Sequence, residues 1–270
     1  MKTKLISFSS QKGGVGKTTF TTLLASFLYY EKGYHVAVID CDYPQFSIKK
    51  QRDREKKQIT TIASFNEMAK VQFERLNKKP YPVFACEYPE ILAFSEEVMN
   101  NSALPYDFIF FDFPGTVNSE HVLRAMNGMD YLFIPAEAER KVMESTLEFA
   151  FTMSELFKKG GKADNIFLFW NKVDRREKNK LYEKYDTEVI KPLKLQLMQS
   201  YFPQSSKFKK EIEADARYIF NSTYFPAMKA AVKGTNINLE GFVNEFLSLI
   251  KDKQRNDESG VQTQVLEEAV

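Results

Sequence analysis

The 270-residue chain is poor in the side chains that staple or ligate, with 2 cysteines, 2 histidines and 1 tryptophan. Cys41 and Cys86 cannot build a disulfide framework, and neither belongs to a C-x-x-C pair of the kind that holds zinc or an iron–sulfur cluster. Both read as reduced residues in or near a core. His35 opens an apolar run with no acid or nucleophile immediately beside it, so its expected role is structural. Apolar residues nowhere continue for the ~18 positions that a membrane-spanning helix requires. Met1-Lys2-Thr3-Lys4 passes directly into an apolar run without the h-region and cleavage site of a secretory leader, and the expectation is a cytoplasmic protein. Neither sign of charge dominates: 38 Lys and Arg stand against 36 Asp and Glu, a net charge of +2. Any nucleic-acid binding must therefore come from a local patch. There is no internal repeat and no low-complexity tract.

What the chain does have is apolar material, 43% of its residues, enough for one α/β domain with a sizeable core. Short apolar runs at Lys4 to Ser9, His35 to Ile39, Tyr81 to Ala85, Tyr106 to Phe113, Asp130 to Pro135 and Asn165 to Trp170 read as strands. Runs apolar at nearly every position suit parallel strands covered on both faces. Between them, Thr18 to Glu31, Ser47 to Gln58, Thr60 to Lys79 and Ala138 to Lys159 have helical character. The expected apolar faces are Ile62, Phe65, Met68, Val71 and Leu76 on the third helix and Val142, Leu147, Phe151 and Leu156 on the fourth. Glu87 to Pro105 reads as a short helix and loop, much of Arg175 to Gln199 as helix, and Leu239 to Lys251 as a closing amphipathic helix. The charged Ser47 to Gln58 run, including Arg52 and Glu55, has the look of a solvated face. The domain is placed over residues 1–252, and the polar stretch 253–270 reads as a disordered tail.

Chemistry begins at Ser10-Gln11-Lys12-Gly13-Gly14-Val15-Gly16-Lys17-Thr18-Thr19, between a strand and a helix. A strand that stops in a glycine-rich turn and restarts as a helix aims backbone N–H groups and the positive end of the helix dipole at one point. Phosphate fits there, with Gly13, Gly14, Val15, Gly16, Lys17, Thr18 and Thr19 around it. Lys17 would reach the β and γ phosphates and Thr18 would ligate Mg²⁺. Gln11 stands where G-x-x-x-x-G-K-[ST] has its first glycine. The second strand ends in Asp40-Cys41-Asp42-Tyr43-Pro44-Gln45, and the fourth in Asp112-Phe113-Pro114-Gly115, at the carboxyl edge where open α/β sheets bind ligands. Helix-capping or turn roles are the alternative for these aspartates. Asn171-Lys172-Val173-Asp174 also closes a strand, as an N-K-x-D sequence that many GTPases use to read guanine, or as a polar turn.

The string K-G-G-V-G-K-T-T resembles the deviant Walker A motif of the ParA/MinD ATPases, with Lys12 five residues before Lys17. The order of phosphate loop, paired aspartates, Walker B-like Asp112 and late Asn171 is similar to that group over residues 1 to 250. The resemblance implies a three-layer P-loop NTPase, α/β in class, with a mostly parallel central sheet flanked by helices on both faces. It implies Mg²⁺ and ATP, with Lys12, Lys17 and Asp42 catalytic and Asp42 orienting the attacking water. It places Thr18, Asp40 and Asp112 around Mg²⁺, the aspartates through water. It further implies that Asn171 contacts adenine, which favours ATP while N-K-x-D keeps GTP open. In this family Lys12 reaches the partner subunit's nucleotide, so that ATP closes a homodimer and hydrolysis dissolves it. Where the family reads D-x-D-P-Q this chain carries one more residue, Tyr43, and is more like the ParA-like proteins of Bacteroidetes conjugative elements, the TraA type.

Implied partners are non-specific DNA and a ParB-like activating protein, with nucleoid association if DNA is bound. The implied role is to position or segregate DNA in plasmid or conjugative-element partitioning or transfer. The basic candidates are the 49–57 helix and the stretch with Lys207, Lys209, Lys210, Arg217, Lys229 and Lys233. A mixed solvated face is the alternative there, since Glu211, Glu213 and Asp215 lie among them. A MinD-like membrane-surface ATPase would want a basic amphipathic terminus, and Val261 to Val270 carries Glu267 and Glu268 with no lysine or arginine. A positioning ATPase on a non-DNA surface and a GTP-dependent chaperone of the same fold class are the other readings.

Overall fold

The computed structural model describes residues 2–87, 90–115, 119–174, 181–209, 219–233 and 235–250. Its strands are β1 (Lys4–Phe8), β2 (Val36–Asp40), β3 (Val83–Ala85), β4 (Phe108–Asp112), β5 (Tyr131–Ala136), β6 (Ile166–Trp170) and β7 (Gln196–Leu197). They form one sheet of 7 strands in the order β3-β2-β4-β1-β5-β6-β7, and all the described pairings are parallel. The longer helices are α1 (Lys17–Tyr30), α2 (Ser47–Thr61), α3 (Ala63–Leu76), α4 (Ile91–Asn100), α5 (Glu120–Asn127) and α6 (Arg140–Lys159), with a closing helix over 239–250.

Strand periodicity builds the three layers. Alternate residues of one strand face opposite ways, so Val36 and Val38 join one core cluster while Ala37 and Ile39 join the other. Phe108 and Phe110 divide from Ile109 and Phe111 in the same way. On one face α1 and the 239–250 helix cover an aromatic core in which Phe8 meets Phe20, Phe110, Phe133 and Phe169 at ring-centroid distances of 5.5–6.3 Å. On the other, α4, α5 and α6 cover Ile39, Ile109, Phe111 and Ile134. At ~1.5–3 kcal/mol for each fully buried large apolar side chain, these layers are what holds the sheet.

Topology then places the site. β1 is central, flanked by β4 and β5, so the loops after β1, β2, β4 and β6 leave the same sheet edge, where the strand order switches direction. The β2–β4 register sets Asp40 opposite Asp112.

Several sequence expectations need correction. In α3 the buried positions are Phe65, Ala69 and Gln72, while Ile62 and Val71 are 41% and 55% exposed. In α6 Val142 is buried as expected, but the inward face continues through Met143, Thr146, Phe149, Ala150, Met153 and Phe157, leaving Phe151 57% exposed. The expected faces hold in part: Phe65, Met68 and Leu76 of α3 and Val142, Leu147 and Leu156 of α6 pack inward, while Ile62, Val71 and Phe151 are exposed. α2 is not a solvated face throughout, because Arg52 and Glu55 are buried. Arg52 lies between the Tyr81 and Tyr224 rings, at 4.6 and 4.5 Å from their centroids, and its Nη2 donates to Thr223 O. Glu55 accepts from Thr223 N and Gln51 Nε2. His35 is structural, stacked on Tyr106 with its Nδ1 beside Pro105 O. Cys41 and Cys86 are buried and unbridged. Lys210, Arg217 and the tail 253–270 lie outside the described residues.

Candidate nucleotide site

The turn after β1 is built for an anion. Gly14 and Gly16 have φ of 75° and 99°, a region that glycine enters at no steric cost. A Cβ on Gly16 would come within 3.0 Å of Phe20 and 3.2 Å of Asn171 Nδ2. α1 then starts at Lys17 with no side-chain cap, which leaves its first N–H groups for a ligand.

Two lysines of the loop go different ways. Lys17 is buried, and its Nζ donates to Lys12 O at 3.3 Å. Burial lowers its pKa, and the carboxylates of Asp112 and Asp42 oppose that shift. The Lys12 side chain is exposed, while its N–H donates to Ser10 Oγ.

The strand-end aspartates divide their work. Asp112 Oδ2 accepts from Thr18 Oγ1 at 2.7 Å, and Oδ1 is buried without a hydrogen-bond partner. Burial first, then the Asp40 charge, pushes the Asp112 carboxyl up to about 8. An orphaned carboxylate oxygen is costly and is relieved by a cation. A threonine hydroxyl and a carboxylate are hard oxygen donors of the type Mg²⁺ takes, and Mg²⁺ needs only one or two carboxylates beside substrate phosphates. These residues fit it. Among the described residues no group of three or more His, Cys, Asp or Glu is arranged to hold a metal unaided.

Asp40 is occupied differently. Its Oδ2 accepts from the N–H groups of Ile48 and Lys49 at 2.9 and 3.0 Å, and its Oδ1 from Asp42 N at 3.2 Å. The carboxylate of a strand end thus serves as the cap of α2, whose own N-cap residue Phe46 offers no side-chain acceptor. Burial raises its pKa while these three donors hold it down. Asp42 is half-buried near Lys17, raised by burial and lowered by the lysine. The connecting loop carries exposed Tyr43, with a cis bond to Pro44, and Phe46 at φ 43°.

Beyond the loop, Asn171 Nδ2 donates to Val15 O and Lys172 Nζ to Gly14 O, both at 2.9 Å, with Lys172 paired to Glu137 at 2.8 Å. The first half of N-K-x-D therefore braces the phosphate loop. Asp174 N meets Tyr182 Oη instead. Asn171 and Lys172 also line a cleft of about 620 Å³ with Gly16, Gln204, Ser206 and Phe208. It lies alongside the loop, with Gly14 and Thr19 also in its wall. Gly115 closes the other side, since a Cβ there would meet Lys17 Nζ at 3.3 Å and Gly13 Cα at 3.4 Å.

The sequence reading missed Glu137 and Ser206 at the site and, away from it, the burial of Arg52 and Glu55. Only the last two carried a signal, as opposite charges on one face of a helix. The stretch after β7 also reaches the site, since Pro203 bridges Val173 and Gln204 lines the cleft.

A parallel sheet with a glycine-rich turn feeding the central helix, facing a Thr18–Asp112 pair, defines a P-loop nucleotide-binding protein. Residues 6–217 match the CobQ/CobB/MinD/ParA nucleotide-binding domain model, and the chain belongs to that family. A candidate plasmid partition protein of Borrelia burgdorferi, bound to AMPPNP, superposes with a TM-score of 0.57 at 22% identity, over 92% of this chain and 99% of that one. The cell-division ATPase MinD of Pyrococcus furiosus gives 0.56 at 18% identity, over 92% and 98%. An uncharacterized protein of Methanocaldococcus jannaschii is 32% identical over 154 residues, 49% of this chain and 58% of that protein. The match thus spans less than two thirds of that relative's length. No described helix is long and apolar enough to cross a membrane.

Proposed function

We propose that the protein is a ParA-type ATPase that dimerises on MgATP and hydrolyses it weakly to position or segregate DNA. The observation that carries this reading is the divergence of the loop lysines. Lys17 is buried beside Asp112 and Asp42, while Lys12 is exposed on the same turn. An exposed cation on the phosphate loop is available to the phosphates of a second copy.

In this reading Gly13 to Thr19 cradle the phosphates through backbone N–H groups. Thr18 and, through water, Asp112 would hold Mg²⁺, which when bound would neutralise phosphate charge. Asp40 fixes the start of α2 and so the path of the loop bearing Asp42, and contributes to the metal shell through water. Asp42 orients the attacking water, and Lys12 and Lys17 stabilise charge that develops on the transferred phosphoryl group. Asn171 contacts the base, with ATP preferred. Partners of stated kind are DNA and a ParB-like activator. The test is phosphate release from ATP and from GTP with Mg²⁺, with and without DNA. A slow ATP turnover lost in Asp42→Ala supports the reading. GTP turnover alone would move the protein to the guanine-using alternative that the Asn171–Asp174 sequence keeps open.

A further inference from the structure

A second cleft, of about 420 Å³, opens on the α2 side of the phosphate loop, with Thr18, Thr19, Ser47, Gln51, Phe208 and Asn221 in its wall. Thr19 and Phe208 also wall the cleft beside Asn171, so the two clefts meet at the first turn of α1. Asn171 belongs to the larger cleft and Asn221 to the smaller. Two amide side chains therefore stand in separate clefts that share the Thr19 wall.

Asn221 is 7% exposed, and its Oδ1 is buried without a hydrogen-bond partner. Its backbone is nevertheless fixed. The Asn221 carbonyl accepts from Gln51 Nε2 at 3.1 Å, and two residues on Thr223 N donates to Glu55 at 2.8 Å, both partners lying on α2. The start of α2 is capped in turn by Asp40. The amide is thus held by the framework that carries the strand-end aspartate, without help from a bond of its own oxygen. A buried acceptor left unpaired costs free energy that only a donor recovers. Phosphate oxygens are acceptors and supply none. With the base against Asn171, the donors of a nucleotide nearest its phosphates are the sugar hydroxyls, and the smaller cleft opens beside two residues of the phosphate loop.

We propose that Asn221 reads the sugar of the bound nucleotide, its Oδ1 accepting from a ribose hydroxyl that passes Thr19 into the smaller cleft. The assignment rests on the reading that the loop binds a nucleotide, and it adds to that reading a residue that selects the sugar. A site that offers a buried acceptor to a hydroxyl rejects the analogue lacking it, because the acceptor is then left unpaired again. Neither the hydroxyl nor the amide changes during phosphoryl transfer, so Asn221 acts on the binding of ATP and ADP alike and leaves kcat untouched.

The test is calorimetric titration of the full-length protein, with Mg²⁺, by ADP, 2′-deoxy-ADP and 3′-deoxy-ADP, for the wild type, Asn221→Ala and Asn221→Ser. The guanine series runs in parallel, because the sugar is common to both bases. The wild type is expected to bind the ribonucleotide about 3- to 10-fold more tightly than one of its two deoxy analogues, the weight of one buried hydrogen bond. In both variants that preference should fall below about 2-fold, with melting of the nucleotide-free protein no lower than in the wild type, since Oδ1 has no bond to lose there. The wild-type series decides even without the variants: equal affinity for the three sugars overturns the proposal and leaves the nucleotide reading standing. A preference that survives in the variants assigns the sugar to another residue and overturns it as well. No binding of adenine or guanine nucleotide by the wild type overturns the nucleotide reading, and the sugar contact with it.

Discussion

Asp40 and Asp112 stand side by side at the ends of neighbouring strands, both fully buried, yet Asp40 has backbone donors on both oxygens while Asp112 keeps Oδ1 without one. The paired strand ends are therefore unequal. Asp40 caps α2 through Oδ2 and holds Asp42 N through Oδ1, and Asp112 keeps one oxygen without a partner.

The inequality gives a pH dependence with a definite sign. Asp112 is raised to about 8 from an ordinary 3.8, so between those values the folded protein holds a proton that the unfolded chain has lost. Metal-free stability should then fall as pH rises from 4 to 8, by up to about 1.4 kcal/mol per pH unit, and level off above. Urea melts in EDTA read this, with Asp112→Asn lacking that part of the slope. Mg²⁺ with nucleotide should flatten the wild-type curve. A wild type and Asp112→Asn that track each other across the window contradict the assignment.

Loss of Lys17 and loss of Asp42 should separate binding from chemistry. Lys17→Ala removes the buried cation of the loop and is expected to abolish nucleotide binding in calorimetry. Asp42→Ala should bind ATP as the wild type does and lose about 10²-fold or more in turnover, the range of a positioned acid–base group. Normal turnover in Asp42→Ala would remove it from the mechanism.

Arg52 and Glu55 tie α2 to the 219–225 segment through Thr223. Glu55→Ala would leave Thr223 N without its acceptor and the Arg52 charge less compensated, at a cost of about 3–5 kcal/mol in a denaturant melt. Asp53→Ala, on the exposed face, should change stability by less than about 1 kcal/mol.

The phosphate loop, the strand-end aspartates and the layering were legible because each is a local pattern: glycines and lysines at fixed spacing, or apolar runs as long as a strand. The charged face of α2 was misread because what buries Glu55 is Thr223, 168 positions away. No window of sequence contains both. On α3 and α6 only Ile62, Val71 and Phe151 were misassigned, for a related reason: several large apolar residues compete on each helix and the layer beneath chooses among them. Asn171 was found by its strand-end position, but its grip on Val15 needed the register of β5 and β6.

The central claim is that Lys12 makes the site half of a composite. The measurement that tests it most directly is mass in solution by light scattering, with Mg²⁺ and ATP, ADP or GTP in turn, for Asp42→Ala and for Asp42→Ala with Lys12→Ala. The account predicts a dimer of Asp42→Ala in ATP only, a monomer in ADP, and a monomer in every nucleotide once Lys12 is also replaced, with ATP affinity of that monomer retained. A mass that ignores the nucleotide, or a dimer that survives Lys12→Ala, would contradict it.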